Sequence, residues 1–364
     1  MATRNNLEVG TSGGYKVKIA VINSSFIGNK PGDRIYNLAV ERIATYHRHR
    51  GDEVYAGPWL ASGGPMLLQD YDKFYFSVLF TWDVDRLIEQ VHQVRKWAED
   101  KLRWVSWGKQ VEIGGPAATF LHTYIHKQTG IEPHIGLDDR FEHIRGDFKV
   151  TFTSRGCPHK CKFCGVKKVE PVALEYSDFS LAPMIGDNNI LSTSWKHQEL
   201  VVDRYTRDFQ GKVDINSGFD VRFFNPEHYE LYSRLNLHIW RFAFDSMEVE
   251  DDVRRVAEFM KSKGFDRHHV TFYCLIGFPG STPEQCRYRL ETLISLGMAP
   301  YPMRFWPLKA LKRDYVAPGW TDDLLKRMTV FYQAPNLWMS DKWENYKPGK
   351  KNTNNKEQEA LWKS

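Results

Sequence analysis

The sequence predicts an α/β protein built from two successive parallel-sheet domains, and three observations lead there. At 364 residues and 42% hydrophobic content the chain can bury more than one core. Short apolar runs of strand character alternate with segments whose apolar residues recur at helical spacing. That alternation starts twice, once near residue 15 and again near residue 148.

In the first series YKVKIAVIN (15 to 23) reads as a buried strand. After the turn-rich SSFIGNKPGD comes a helix with Ile35, Leu38, Ala39, Ile43 and Tyr46 on one face. A short strand near Glu53 to Ala56 and the strand KFYFSVLF (73 to 80) follow. A long helix then carries Leu87, Val91, Val94, Ala98 and Leu102 at helical spacing, and the strand QVEIGGP (110 to 116) comes next. Strand and helix in turn make a parallel sheet covered on both faces. Residues 15–145 therefore read as a flavodoxin-like or Rossmann-like domain, preceded by a flexible stretch, 1–14.

The second series opens with FKVTFTS (148 to 154). Later strands are predicted near Leu181 to Ile185, Val213 to Ser217, Ile239 to Phe244, Val270 to Ile276 and Met303 to Pro307. The helices NPEHYELYSRLN (225 to 236), EDDVRRVAEFMKSKG (250 to 264) and TPEQCRYRLETLISLG (282 to 297) lie between them. Six such units suggest a partial (β/α)6 barrel of TIM type over 146–340, with reactive groups at the carboxyl ends of its strands. Residues 341–364 are polar and aperiodic, as expected of a disordered tail.

Composition narrows the function. No stretch approaches the roughly 18 consecutive apolar residues of a membrane span, and MATRNNLEVGTSGGY lacks a secretory apolar run, so a cytoplasmic protein with no membrane partner is expected. The net charge of +5 permits a polyanionic partner without requiring one. The 12 tryptophans fit core packing at least as well as base stacking. Five cysteines, two of them the isolated Cys274 and Cys286, do not make a disulfide framework, which leaves reduced thiols for metal.

The other three stand in TSRGCPHKCKFC (153 to 164), where Cys157, Cys161 and Cys164 form C-x3-C-x2-C. Three thiolates on one short loop can each hold an iron of a 4Fe-4S cluster and leave the fourth iron open to a chelating ligand. The rival from another class is a zinc-stabilised nucleic-acid-binding protein without catalysis. Against it, His159 follows Cys157 too closely for a good bite and ordinary zinc knuckles use CxxC units in pairs, while Lys160 and Lys162 mark an exposed loop rather than buried structural thiols.

CPHKCKFC resembles the CxxxCxΦC signature of the radical S-adenosylmethionine (SAM) superfamily, with Phe163 at the aromatic position. The resemblance implies a 4Fe-4S cluster on the three cysteines and SAM on its open iron. It further implies reductive cleavage of SAM to a 5′-deoxyadenosyl radical, and an electron donor such as flavodoxin or ferredoxin. Further segments are similar to the superfamily's strand ends. IGDNNIL offers Asp187 and Asn188 toward the SAM amino group, and SGFDVRFF offers Asp220 and Arg222. FAFDSME offers Asp245 and Ser246, and LIGFPGST places Ile276 beside the adenine. Taken singly, each of these polar residues has a plain alternative as a cap or a structural ion pair.

The N-terminal half resembles the cobalamin-binding domain of one branch, with SVL (77 to 79) and IGGPAATF (113 to 120) at its SxL and GGxxxT elements. The DxHxxG sequence that would give cobalt a lower histidine is absent from SSFIGNKPGDRIYNLA. Cobalamin is therefore possible but not favoured, and the domain is expected to act as a scaffold. Without a second cysteine triad for methylthiolation, the expected reaction is hydrogen abstraction followed by rearrangement, isomerisation or a related modification. The basic runs GVKKVE and LKALKR point to DNA or a nucleoside, such as modified thymidine in phage DNA, although a solvated face explains them equally. A cobalamin-dependent methyltransferase and a peptide- or metabolite-modifying enzyme are the alternatives.

Overall fold

The structure is a computed structural model that describes residues 16–25, 35–59, 71–100 and 110–347. Chain contacts divide it into two compact units. One holds the described residues up to Arg241 together with Trp306–Tyr315, and the other holds Phe242–Phe305 and the described residues from Val316 onward.

The first unit opens with β1 (Lys18–Asn23), β2 (Glu53–Pro58), β3 (Lys73–Ser77) and β4 (Val111–Gly114), a parallel sheet in the order β2-β1-β3-β4. Alternate residues of β1 feed two cores. Ile19 and Val21 pack with Tyr75 and with Val40, Ile43 and Ala44 of the helix Leu38–His49. Ala20 and Ile22 pack with Phe74, Phe76 and with Leu87, Val91 and Val94 of the helix Val84–Asp100. Each fully buried Val, Leu, Ile or Phe among them contributes about 1.5–3 kcal/mol, and this two-faced burial is why the central strands read as unbroken apolar runs.

The first helix departs from its predicted face. Ala39 is exposed and Leu38 half-buried, while Val40, Ile43, Ala44 and His47 face inward. His47 fixes that phase, since its Nδ1 meets Asp52 Oδ2 at 2.7 Å and its Nε2 meets the Tyr75 hydroxyl at 3.0 Å. Leu102, residues 1–14 and most of the loop after β1 lie outside the described residues.

The same unit continues with β5 (Val150–Thr151), β6 (Ser154–Arg155), β7 (Leu174–Glu175), β8 (Met184–Ile185) and β9 (Asp214–Ile215). Strands β5, β8 and β9 form a parallel sheet in the order β5-β8-β9, and β6 pairs antiparallel with β7. The predicted strand 148–154 is thus two pieces. It breaks at Thr153, whose amide leaves the ladder and donates to Asp187 Oδ1 at 2.6 Å. Helices Trp195–Asp208 and Pro226–Tyr232 are N-capped by Ser194 and Asn225, and the first of them was not anticipated because its sequence is mostly polar.

The sheet β10 (Trp240–Ala243), β11 (Val270–Ile276) and β12 (Ala299–Arg304) has β11 at its centre, and the second unit begins within β10. Helices Glu250–Ser262, Pro283–Ser295 and Asp322–Gln333 complete that unit. The second of them starts in a capping box between Thr282 and Gln285, and the third was missed in the sequence. The last strand was expected at 303–307 and runs at 299–304 instead. Pro300 and Pro302 masked it, and an edge strand tolerates both because their missing N–H groups face no second neighbour. No helix among the described residues is long and apolar enough to cross a membrane.

Candidate functional site

The cysteine loop is launched by a turn that only glycine fits. Gly156 follows β6 with φ 81°, and a Cβ there would come within 2.8 Å of the Val172 carbonyl oxygen. Its amide donates to Glu170 Oε2 at 2.8 Å, which fixes the backbone one residue before Cys157. The Cys164 amide closes a turn on the Cys161 carbonyl at 3.0 Å. Cys157 and Cys161 are half-buried and Cys164 is exposed, and none is in a disulfide.

A polar cluster stands against this loop. Arg222 grips Asp220 with Nε at 2.7 Å and Nη2 at 2.8 Å, and its own amide adds a third bond at 3.1 Å. His159 Nε2 donates to Asp220 Oδ2 at 2.7 Å, and the Asn189 side-chain amide donates to the same oxygen at 2.9 Å. That amide also reaches Cys157 Sγ at 3.8 Å. Burial alone would raise the Asp220 pKa, but the Arg222 fork outweighs it and holds the carboxyl below its usual range. Burial likewise works against the Arg222 charge, and the Asp220 fork, with the nearby Cys161 and Cys157 adding to it, reverses the balance and raises its pKa.

This donor set fits an iron–sulfur cluster. Three thiols outside any disulfide share one loop, a cation lies in their field and an amide N–H is directed at one sulfur, the kind of contact that tunes such clusters. Among the described residues no three Cys, His, Asp or Glu groups converge at the spacing one ion needs. A cubane, whose irons occupy separate corners, asks for thiolates more widely spread.

The remaining sequence candidates take varied positions. Phe163 is half-buried on the loop itself. Asp187 is fully buried, and its carboxylate accepts from Thr153 N at 2.6 Å, Thr153 Oγ1 at 2.5 Å and Ser154 Oγ at 2.8 Å, which ties β6 to the end of β8. Asn188 donates to Glu170 at 2.6 Å. In the second unit Asp245 accepts from Leu275 N at 2.7 Å, and Ser246 caps the turn at Glu248 N at 3.2 Å. Ile276 is fully buried at the end of β11. Asp220 and Arg222 are therefore the candidates that share the neighbourhood of the cysteines within their unit. Sequence reading missed Asn189 and His159 there, although Asn189 directly follows the asparagine that was singled out.

A cavity of about 470 Å³ with mainly apolar walls lies in the same unit. It opens at the carboxyl ends of β3 and β4, where Ser77, Leu79, Gly114 and Gly115 line it, and Arg155, Gly165, Glu170 and Asn188 from the cysteine-loop region form the opposite wall. Ligands of open α/β sheets bind at this edge. A buried ion network crosses one side. Glu142 accepts from Arg42 at 2.7 Å and from Arg155 at 2.8 Å, and Arg155 also donates to Glu170 at 2.9 Å. His134 lines the cavity with its Nε2 held at 2.9 Å from the Leu137 carbonyl.

No family description and no curated protein matches the sequence. Solved structures do match. The radical SAM methyltransferase TsrM from Kitasatospora setae, with cobalamin and a 4Fe-4S cluster bound, shares a TM-score of 0.59 at 12% identity over 80% of this chain and 75% of that one. The TsrM structure with tryptophan and the SAM analogue aza-SAM gives 0.58 at 13% identity over 79% and 72%. The chain has the radical SAM fold. As in those structures, a parallel-sheet domain is followed by a second α/β domain. TsrM carries cobalamin, so the expectation that disfavours that cofactor gains no support, and neither does the expectation of a nucleic acid substrate.

Proposed function

We propose that this protein is a cobalamin-dependent radical SAM enzyme of the methyltransferase type. The observation that carries the reading is the shared cavity: the strand ends of the N-terminal sheet and the flank of the cysteine loop line one space. Gly114 leaves that space open, since a Cβ built there would meet only His134 Cβ at 3.8 Å. Mainly apolar walls with polar groups at Ser77, Asn188 and Glu170 suit a broad ring bearing amide arms. His134 Nε2 is held by the Leu137 carbonyl and the sequence SSFIGNKPGDRIYNLA after β1 contains no histidine, so the cavity-lining side chains would hold cobalamin.

When bound, a cluster on Cys157, Cys161 and Cys164 supplies single electrons, and cobalamin supplies a transferable methyl group. The protein's own residues do the rest. Asp220 presents Arg222 as a fixed cation beside the thiolates, suited to the carboxylate of an amino-acid cofactor. Asn189 joins that pair to Cys157, so loop and anion site hold one geometry. The ion network from Arg42 to Glu170 stiffens the wall between cavity and loop.

Anoxic reconstitution with iron, sulfide and hydroxocobalamin tests this. Stoichiometric cobalamin retained through gel filtration, with a cluster spectrum, and methyl transfer from SAM to an added acceptor pool are expected. A chain that builds the cluster, cleaves SAM to 5′-deoxyadenosine and retains no cobalamin would instead act by hydrogen abstraction.

A further inference from the structure

The residue after the third cysteine is a glycine for a reason its backbone does not supply. Gly165 has φ −90° and ψ −8°, ordinary right-handed values open to any residue. A Cβ built there, however, would collide with Phe120 Cζ, and it would lie 3.0 Å from Phe120 Cε1 and 3.3 Å from Leu308 Cδ2. The tip of the Phe120 ring thus fills the place of a side chain one position past Cys164.

Both packing partners are fixed from behind. Phe120 ends the short helix Pro116–Phe120, in which Ala117 and Ala118 are fully buried and the Ala117 amide donates to the Val78 carbonyl at 3.2 Å. Its neighbour Thr119 accepts from the Gly136 amide at 2.9 Å. Leu308 belongs to the segment Trp306–Tyr315 of the same unit, and Thr81 Oγ1 holds that segment by donating to the Ala310 carbonyl at 2.6 Å. On the cysteine side the ring meets backbone, which yields less readily than the end of a flexible side chain.

Phe120 also lines the cavity, together with Gly165, Val166 and Val169. The turn Val166–Val169 is two-faced, with its valines half-buried and Lys167 and Lys168 exposed. Gly165 anchors that turn, since its carbonyl accepts from the Lys168 amide at 2.9 Å. The cysteine loop is therefore held at its start by hydrogen bonds from Gly156 and Asn189, and at its end by a ring that a cavity ligand would touch. Close-packed groups pass a displacement on to their neighbours.

We propose that Phe120 is a positioning residue that couples occupancy of the cavity to the placement of Cys164, and so to the cluster. The inference rests on the cobalamin reading of that cavity. A filled cavity confines the ring against Gly165 and holds the third thiolate in one position. An empty cavity leaves the ring space to turn, and the end of the loop relaxes with it. The ligand shifts this balance through the contacts it makes with one ring position and not the other.

The test is Mössbauer spectroscopy of protein reconstituted anoxically with isotopically enriched iron and sulfide, before and after hydroxocobalamin, because the method reads iron and not cobalt. In the wild type the quadrupole splitting of the cluster should change when cobalamin enters. Phe120→Ala should hold iron and cobalamin at wild-type stoichiometry and lose that change, while Phe120→Leu, which keeps an apolar branch toward Gly165, should retain part of it. Gly165→Ala drives the ring off the loop and should lower the iron retained per chain by at least about twofold. Adding Phe120→Ala to it should restore the iron, a rescue that general loss of stability would not give. Should Phe120→Ala fail to retain cobalamin, this Gly165 pair still decides, because it is read on iron alone. A response to cobalamin as strong in Phe120→Ala as in the wild type overturns the proposal, as does full iron retention by Gly165→Ala or a fully loaded wild type that shows no response. A wild type that holds the cluster and no cobalt overturns the cobalamin reading and the proposal with it, and cobalt analysis tells that outcome from lost coupling.

Discussion

Asp220 holds three residues at once. Its carboxylate takes the Arg222 fork on one edge and receives His159 and Asn189 on Oδ2. Replacing it by Asn keeps the shape and removes the charge that orients Arg222. Asp220→Asn should therefore leave cluster assembly near wild type while weakening SAM binding and turnover by about 10–100-fold, the range found when partners of cofactor-holding groups are lost. Calorimetric titration with SAM checks it, and unchanged affinity would remove Arg222 from the cofactor site. Asp220 and Arg222 were visible in the sequence because their two-residue spacing after a strand matches a motif. Asn189 was not. The run Asp187, Asn188, Asn189 sends three neighbouring side chains to three different partners, Thr153, Glu170 and Asp220, and nothing in residue type says which goes where.

Between elements, the buried network Arg42–Glu142–Arg155–Glu170 joins the first helix, the segment Asp139–Glu142, β6 and the end of the cysteine loop. Burial disfavours the charge on Glu142, yet the two arginines more than compensate and hold its pKa below the ordinary 4.5. A depressed carboxyl adds stability above that value and loses it as pH falls through the folded-state pKa. Glu142→Gln leaves the buried Arg42 without its counter-charge and Arg155 with Glu170 alone, and should cost about 3–5 kcal/mol near neutrality. In thermal melts the gap between variant and wild type should narrow as pH drops below 4.5. A constant gap across pH would show that Glu142 acts by shape alone. The elements themselves were legible where their period is strong, as in β1, β3, β11 and the helix Val84–Asp100. They were illegible where polar or proline-rich sequence hides them, as in the helix Trp195–Asp208 and in β12. The network was hidden altogether, because its bonded partners lie between 13 and 100 residues apart and meet only after folding.

The cavity draws on segments from Asn37 to Leu308, so no local stretch encodes it, and the adjoining glycines at its lip separate fold from function. Gly115 has φ 104°, and a Cβ there would lie 2.5 Å from the Val78 carbonyl oxygen, a collision of backbone with backbone. Gly115→Ala should therefore destabilise the N-terminal sheet by more than about 1 kcal/mol, with cobalamin lost only as a consequence of unfolding. Gly114 has no such conflict, and a side chain there would enter the cavity. Gly114→Leu should melt as the wild type does, keep its cluster and lose cobalamin affinity by at least about tenfold, or 1.4 kcal/mol. If Gly114→Leu retains cobalamin as tightly as the wild type, the ring does not sit at this sheet edge, and the shared wall between sheet and cysteine loop serves only to brace the fold.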